Sequence, residues 1–285
     1  METEASQSPA GGVSAMIFTL NEEIHLPGCL QSLTWCDDVI VIDSGSTDRT
    51  AAITSHSGAR LFVHPFTGFG DQRNWALDNA SPKHSWILIL DADERVPPAL
   101  AEELKRVARS TPPAIDAYRV KRRFHMWGRW LQHSSLYPTW VVRLVRLGHV
   151  RYVNRGHAET QVVDGATADL EFDLIDENLK GIDEWFERQN RYSTKDAEHE
   201  LAAERASPSW SGLASGDPLV RRAALKGIAM RMPGRPLLYF IYAYVLRGGF
   251  RDGRDGFVFC MMRALYQGMV VAKKHDIRRR AVAGG

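Results

Sequence analysis

The run Trp86–Leu90 (WILIL) is apolar at every position and passes directly into the acidic turn Asp91-Ala92-Asp93. A strand with apolar side chains on both faces must be covered on both faces, and a parallel sheet flanked by helices does this. Ser14–Leu20 (SAMIFTL), Val39–Asp43 (VIVID) and Arg60–Val63 read as strands of the same kind. Stretches with helical spacing alternate with them: Glu23–Leu33, Asp48–His56, Gly70–Asn79 and Pro98–Arg109, with start signals at Ser46-Thr47-Asp48 and Pro97-Pro98. From Val13 to about Leu104 this order predicts an α/β domain of the nucleotide-binding type, its mostly parallel sheet carrying helices on both faces.

The chain has 285 residues, 44% hydrophobic and 25% charged, enough for one large core or one core with an appendage. Collagen-like, coiled-coil and wholly disordered chains are excluded. Cys29, Cys36 and Cys260 are too scattered for a disulfide framework or a CxxC metal pair, which points to a reducing compartment. The opening METEASQSPAGG lacks a basic start followed by an apolar stretch, so it does not read as a secretory signal and the expected location is cytoplasmic.

A formal net charge of +2 conceals a division along the chain. Residues 221–285 carry 14 Lys and Arg against 3 Asp and Glu, and everything before them is acidic overall. The basic residues interleave with LLYFIYAYVL and FVFCMM, a pattern suited to an anionic membrane surface and not to nucleic acid. Leu237–Leu246, the longest apolar run, is too short for the ~20 residues that span a bilayer. On a helical wheel of Phe257–Lys273, Arg263, Gln267 and Lys274 form a narrow polar stripe on an otherwise apolar helix, which suits partial immersion. In Leu219–Met232 the basic residues do not gather on one face. The alternative for both apolar segments is packing on the main domain or in a dimer interface.

Between these regions, Ala117–Phe124 and Thr139–Leu147 are β-rich and extend or edge the sheet, separated by HMWGRWLQHSSLYP. A helix follows over Ile182–Glu204, with Ile182, Trp185, Phe186, Gln189 and Tyr192 on its packed side. Ser207–Pro218 has the composition of a linker.

Three polar clusters stand where buried strands end, the edge at which open α/β sheets bind ligands. They are Thr19-Leu20-Asn21-Glu22, Asp43-Ser44-Gly45-Ser46-Thr47-Asp48 and Asp91-Ala92-Asp93-Glu94. Two carboxylates one residue apart, Asp91 and Asp93, can turn toward one divalent cation, which takes oxygen ligands and bridges them to substrate phosphates. Asp48 is accounted for as a helix cap. Asp43 has no such structural duty and is placed to bind a ribose or base. Arg73 and Asn74 enter a helix after Gly68-Phe69-Gly70 and can reach a phosphate or base.

In this order, TLNEE, VIVIDSGSTD, QRNWAL and LILDADE resemble the inverting glycosyltransferases of family 2, which have the Rossmann-like GT-A fold. Within that family the chain is similar to the branch of bacterial lipopolysaccharide-core β-glucosyltransferases. The resemblance is specific over Val13–Leu104 and continues weakly through FHMWGRWL, YPTWVVRLVR and LRGGFRDGRDGF. It implies that Thr19, Asn21 and Asp43 line the uracil and ribose pocket with Glu22 in the same loop, and that Arg73 approaches the nucleotide. It implies further that Asp91 and Asp93 hold Mg2+ or Mn2+ on the diphosphate. The QxxRW motif of processive synthases is absent, the nearest stretch being Gln189-Asn190-Arg191-Tyr192.

An inverting transfer needs a carboxylate to take the proton of the acceptor hydroxyl. Candidates after the DxD are His157, Glu159, Asp173 and Asp176. Arg155-Gly156-His157-Ala158-Glu159 resembles the short His-Glu motif of the branch, which implies Glu159 as the base and His157 as an acceptor or phosphate contact. The expected organisation is a disordered N-terminus (1–12), a nucleotide-sugar half (13–113), an acceptor half (114–206), a linker (207–218) and a basic amphipathic tail (219–285). The tail would hold the enzyme on the inner face of the cytoplasmic membrane, against a lipid-linked or lipopolysaccharide acceptor. A sugar nucleotidyltransferase is the competing enzyme class, but TLNEEIHLPGCL lacks the Gly-rich basic loop that holds a triphosphate. A non-catalytic membrane-surface adaptor would be expected to have lost a metal carboxylate, and both are present.

Overall fold

The computed structural model describes residues 11–155, 158–204, 214–217, 220, 221, 224, 227, 232 and 234–283. The chain parts into two compact units, Met1–Trp130 with Tyr137–Lys180 and Leu131–Leu136 with Gly181–Gly285. Most of the expected linker and of Leu219–Met232 lies outside the described residues, as does His157.

The first unit runs β1 (Val13–Thr19), α1 (Leu26–Gln31), β2 (Val39–Asp43), α2 (Thr50–Ser57), β3 (Arg60–Val63), α3 (Phe69–Asn79) and β4 (Trp86–Asp91). It continues with β5 (Glu94–Arg95), α4 (Pro98–Ser110), β6 (Ile115–Met126), β7 (Arg129–Trp130) and β8 (Thr139–Arg146). The hairpin β9 (Val150–Arg155) and β10 (Ala158–Val163) and the long strand β11 (Ala166–Asn178) complete it. Among the described residues nine strands form one mixed sheet in the order β3-β2-β1-β4-β8-β6-β11-β5, with β7 beside β6. Pairing is parallel through β3-β2-β1-β4 and between β6 and β11; β8 joins the two halves antiparallel to β4 and β6.

The apolar strands are buried on both faces, as their composition requires. Ala15 and Ile17 of β1 pack with Leu26 and Cys29 of α1 and with Leu100 and Leu104 of α4. Met16 and Phe18, pointing the other way, pack with Ala76 and Leu77 of α3 and with Val150 and Tyr152 of β9. Burying each large apolar side chain contributes about 1.5–3 kcal/mol, which fixes the register of the central strands. Gly70 lets α3 approach β9: a Cβ there would lie 2.9 Å from Asn154 Oδ1 and 3.2 Å from the Asn154 backbone nitrogen. The helix predicted over Glu23–Leu33 is shorter, because Glu22 to His25 are spent in a turn before Leu26. β11 was not expected, since its apolar positions alternate irregularly across register shifts in its pairing with β6.

The second unit contains α5 (Ile182–Glu204), α6 (Arg235–Phe240), a π-helical segment Ile241–Leu246, a 3₁₀ turn Gly249–Asp252 and α7 (Gly253–Ala283). Two expectations are corrected here. The packed stripe of α5 is Trp185, Gln189, Ser193, Ala197 and Glu200, spaced by about one turn, whereas Ile182 and Phe186 are exposed. The polar stripe of α7 is turned inward: Gln267 and Lys274 are buried. Lys274 Nζ meets Glu200 and Glu204 of α5 at 3.0 and 2.5 Å, and Tyr266 donates to Asp196 at 2.5 Å. A wheel drawn from sequence cannot tell a solvated stripe from one satisfied by a second charged helix.

Candidate active site

β1 and β2 end side by side, with Thr19 opposite Asp43. Thr19 Oγ1 and Ser46 Oγ donate to Asp43 Oδ1 at 2.9 and 2.5 Å, and the Gly45 and Ser46 N–H groups donate to Oδ2 at 3.0 and 2.8 Å. Asp43 is buried and folds the loop after β2, so the reading that it has no structural duty is corrected. Asp48 accepts from the N–H groups of Thr50 and Glu23 at 2.9 and 3.0 Å. Asn21 adopts a left-handed backbone, φ 55°, and its Oδ1 accepts the Thr47 N–H at 2.8 Å. These bonds join the two strand-end loops into one rim that carries Thr19, Asn21 and Asp43. Glu22 is engaged elsewhere, by His25 Nδ1 at 2.6 Å and Lys180 Nζ at 2.7 Å, while His25 Nε2 accepts the Leu179 N–H at 2.9 Å.

At the exit of β4 the side chain of Asp91 is 36% exposed and held by two guanidiniums, Arg73 on Oδ1 at 3.0 Å and Arg143 on Oδ2 at 2.6 Å. Burial opposes its charge, but Arg143 and Arg73 hold its carboxyl well below the usual range. Arg73, from α3, is itself buried between the rings of Phe18 and Tyr152, 5.6 and 5.5 Å from their centres, and also pairs with Glu159 of β10. Arg143 further binds the fully buried Glu94 at 2.6 Å, and Arg122 binds Asp176 of β11 at 3.1 Å. Burial and the neighbouring Asp91 charge, against the pull of Arg143, push Glu94 up to about 7. Burial does the same to Asp176, pushed up to about 8 despite Arg122, with Asp93 and Glu94 adding to the rise. Three guanidiniums, Arg73, Arg122 and Arg143, thus face five carboxyl groups, Asp91, Asp93, Glu94, Glu159 and Asp176.

The sequence profile described as glycosyl transferase family 2 matches residues 14–177, more than half of the chain and the whole of this cluster. The chain belongs to glycosyl transferase family 2. It is a transferase that moves a sugar from a nucleotide sugar, and its mixed α/β sheet is GT-A-like. Over 278 residues it is 28% identical to the lipopolysaccharide core biosynthesis glycosyltransferase LpsC of Rhizobium meliloti, covering 94% of each chain. An uncharacterized glycosyltransferase of Rickettsia bellii is 35% identical over 111 residues, 38% of this chain and 37% of that one. Among solved structures, S. aureus TarS 1–349 is 15% identical over 94% of this chain and 91% of that one, with a TM-score of 0.42. The glucosyl-3-phosphoglycerate synthase of Mycobacterium tuberculosis, solved with Mg2+ and UDP, is 28% identical over 40% of this chain and 43% of that one, with a TM-score of 0.33.

In this family 2 chain the residues at β4 fit a cation that arrives with the donor. Among the described residues no group of three or more His, Cys, Asp or Glu could hold a metal. Mg2+, however, usually binds through one or two carboxylates and the substrate phosphates, and the hard oxygen set of Asp91 and Asp93 is the one Mg2+ and Mn2+ prefer. Arg143 and Arg122 were missed from sequence, and Glu94 was read only as part of the acidic turn after β4. For Arg143 the signal was present: a charge in the middle of the apolar run VVRLV must find a buried partner. A separate cavity of ≈ 650 Å³ beside α1 and α4, with Gln31, Trp35, Arg95 and Glu102 in its wall, includes none of the rim or cluster residues Asp43, Arg73, Asp91 and Glu159.

Proposed function

We propose that this enzyme transfers one sugar at a time, with inversion, from a UDP-sugar to a lipopolysaccharide or lipid-linked envelope-glycan acceptor. The observation that carries the reading is the convergence of the Thr19–Asn21–Asp43 rim and the Asp91–Asp93 turn on neighbouring strand ends, with Glu159 joined to Asp91 through Arg73. Similarity to LpsC over 94% of both chains supports an envelope-glycan acceptor. Asp91 and Asp93 would hold Mg2+ or Mn2+, which would neutralise charge on the leaving diphosphate. The nearest stretch to the processive QxxRW motif ends in Tyr192, in keeping with single transfers.

Glu159 is the proposed base. A carboxylate paired with a guanidinium is a weak proton acceptor. Its role therefore requires the donor diphosphate to draw Arg73 away from it. Glu159→Gln is expected to lower turnover by roughly 10²-fold, the scale of general-base catalysis, with UDP affinity nearly intact. Near-normal turnover in a steady-state assay would move the role to Asp176.

Attachment to an anionic membrane surface belongs to the same proposal, with its face reassigned. On the second unit Leu237, Val245, Leu246 and Phe250 are 63%, 53%, 74% and 54% exposed, beside Arg247, Arg251 and Arg254. No helix among the described residues is long and apolar enough to cross a membrane, so the fitting mode is insertion of this apolar face with arginines at the headgroups. Full-length protein is expected to float with anionic liposomes and to be released only partly by high salt, whereas Leu246→Glu should largely abolish flotation. Equal flotation of the variant would place the membrane contact elsewhere.

A further inference from the structure

On the first unit, β6 and β8 lie side by side with Lys121 opposite Trp140. Lys121 Nζ and Arg119 Cζ lie 5.7 and 5.4 Å from the centre of the Trp140 ring, and Arg123 Cζ lies 4.8 Å from that of Trp130. The Trp130 ring meets Tyr137 edge-on at 5.2 Å. Asp173, buried beneath, ties these groups together. It accepts from Arg123 Nε at 2.6 Å and Tyr137 OH at 2.8 Å, and pairs with Lys121 Nζ at 3.2 Å. The result is a row of alternating cations and aromatic rings fixed by one carboxylate. It does not serve core packing, since the side chains of Arg119 and Arg123 are 46% and 43% exposed and Trp140 is 37% exposed.

The row lies close to the reacting end of the sheet. Arg143, three residues after Trp140 on the same strand, binds Asp91 at 2.6 Å. Continuing the β4–β8 register beyond Leu88 opposite Leu144 brings Asp91 to the level of Val141 and Trp140. At about 4.8 Å per strand, β6 is then roughly 10 Å from β4, a distance bridged by one or two sugar rings. Val142 packs on the face that carries α3 and β9, and strand alternation puts Trp140 on that same face.

We infer that the Trp140–Lys121–Arg123–Trp130 row is the acceptor platform and that it takes an acidic saccharide, one bearing carboxylate or phosphate groups. Aromatic rings offer a flat apolar surface to the C–H face of a sugar ring, and Lys and Arg heads take its anionic substituents. Asp169 and Asp173 neutralise only part of the charge of Arg119, Lys121 and Arg123, which leaves the row cationic overall. This inference rests on the proposed transfer to an envelope glycan and names the chemistry of its acceptor.

The test is calorimetry with two probes, deacylated lipopolysaccharide core oligosaccharide and trigalacturonate, beside neutral maltotriose. Wild type is expected to bind both acidic probes at least about tenfold more tightly than maltotriose. Trp140→Ala and Lys121→Ala should each weaken acidic binding about tenfold, and Trp140→Phe should restore most of it. UDP affinity measured on the same samples reports whether the fold is intact. Unchanged acidic binding in Trp140→Ala and Lys121→Ala, or equal binding of maltotriose by wild type, overturns the platform. Failure of the proposed transfer looks different: trigalacturonate still binds in a Trp140-dependent way, but no sugar reaches the core oligosaccharide.

Discussion

Asp91→Asn is expected to lower sugar transfer on the order of 10³-fold and to remove the dependence of UDP affinity on Mn2+. The substitution is nearly isosteric, so the β4 turn should persist, but it removes the charge on which Arg73 and Arg143 converge and which the proposed cation would meet. The amide also presents N–H donors to one of the two guanidiniums, which leaves that contact repulsive. Asp93→Asn should reproduce the loss of metal dependence. Calorimetry of UDP with and without Mn2+ separates these outcomes. Unchanged UDP affinity in Mn2+ for both variants would remove the cation from this turn.

Arg143→Met is expected to destabilise the protein by about 3–5 kcal/mol, the range found when one partner of a buried ion pair is removed. The figure rests on Glu94, fully buried and bound by Arg143 at 2.6 Å, and not on the partly exposed Asp91. Loss of the guanidinium leaves Glu94 to fold either protonated or charged, with only the Asp91 N–H at 3.0 Å and the more distant Arg122 at 3.9 Å to meet its charge. Its folded pKa, already raised, rises further, so the unfolded chain, which ionises near the ordinary carboxylate range, gains relative to the fold as pH climbs. The destabilisation should therefore be larger at pH 8 than at pH 5. Urea unfolding at the two pH values checks both size and sign; a loss below about 1 kcal/mol at pH 8 would mean that Arg122 and the Asp91 N–H suffice to hold Glu94.

The strands and helices from Val13 to Ser110 were legible because their apolar runs are buried on both faces and their ends are marked by small, acidic and proline residues. β2 and β3 were read to the residue, and β4 to within one. The DxD was legible for the same reason: charge directly after WILIL has only the sheet edge to occupy. The arrangement around it was not. Arg143, Arg122 and Asp176 reach the cluster from β8, β6 and β11, and the order β4-β8-β6-β11 that places them together depends on strand pairings between distant segments. Asp43 and Glu22 show the reverse limit. Sequence position marks a carboxylate at a strand end, but whether its oxygens hold a loop or a ligand depends on donors such as Ser46 and Lys180, one brought by a turn and the other from 158 residues away. In α7 the polar stripe had the right spacing and the opposite direction, because its partners Glu200 and Glu204 come from α5.

Inverting transfer from a nucleotide sugar is proposed for the ends of β1, β2 and β4. Its most direct test is incubation of full-length protein with α-linked UDP- and GDP-sugars, Mn2+ and deacylated lipopolysaccharide core oligosaccharide, with the linkage of the product read by NMR. Acceptor-dependent release of UDP and a β-linked product are expected, both lost on chelation of the metal. An α-linked product, or no acceptor-dependent nucleotide release from any donor, would contradict it.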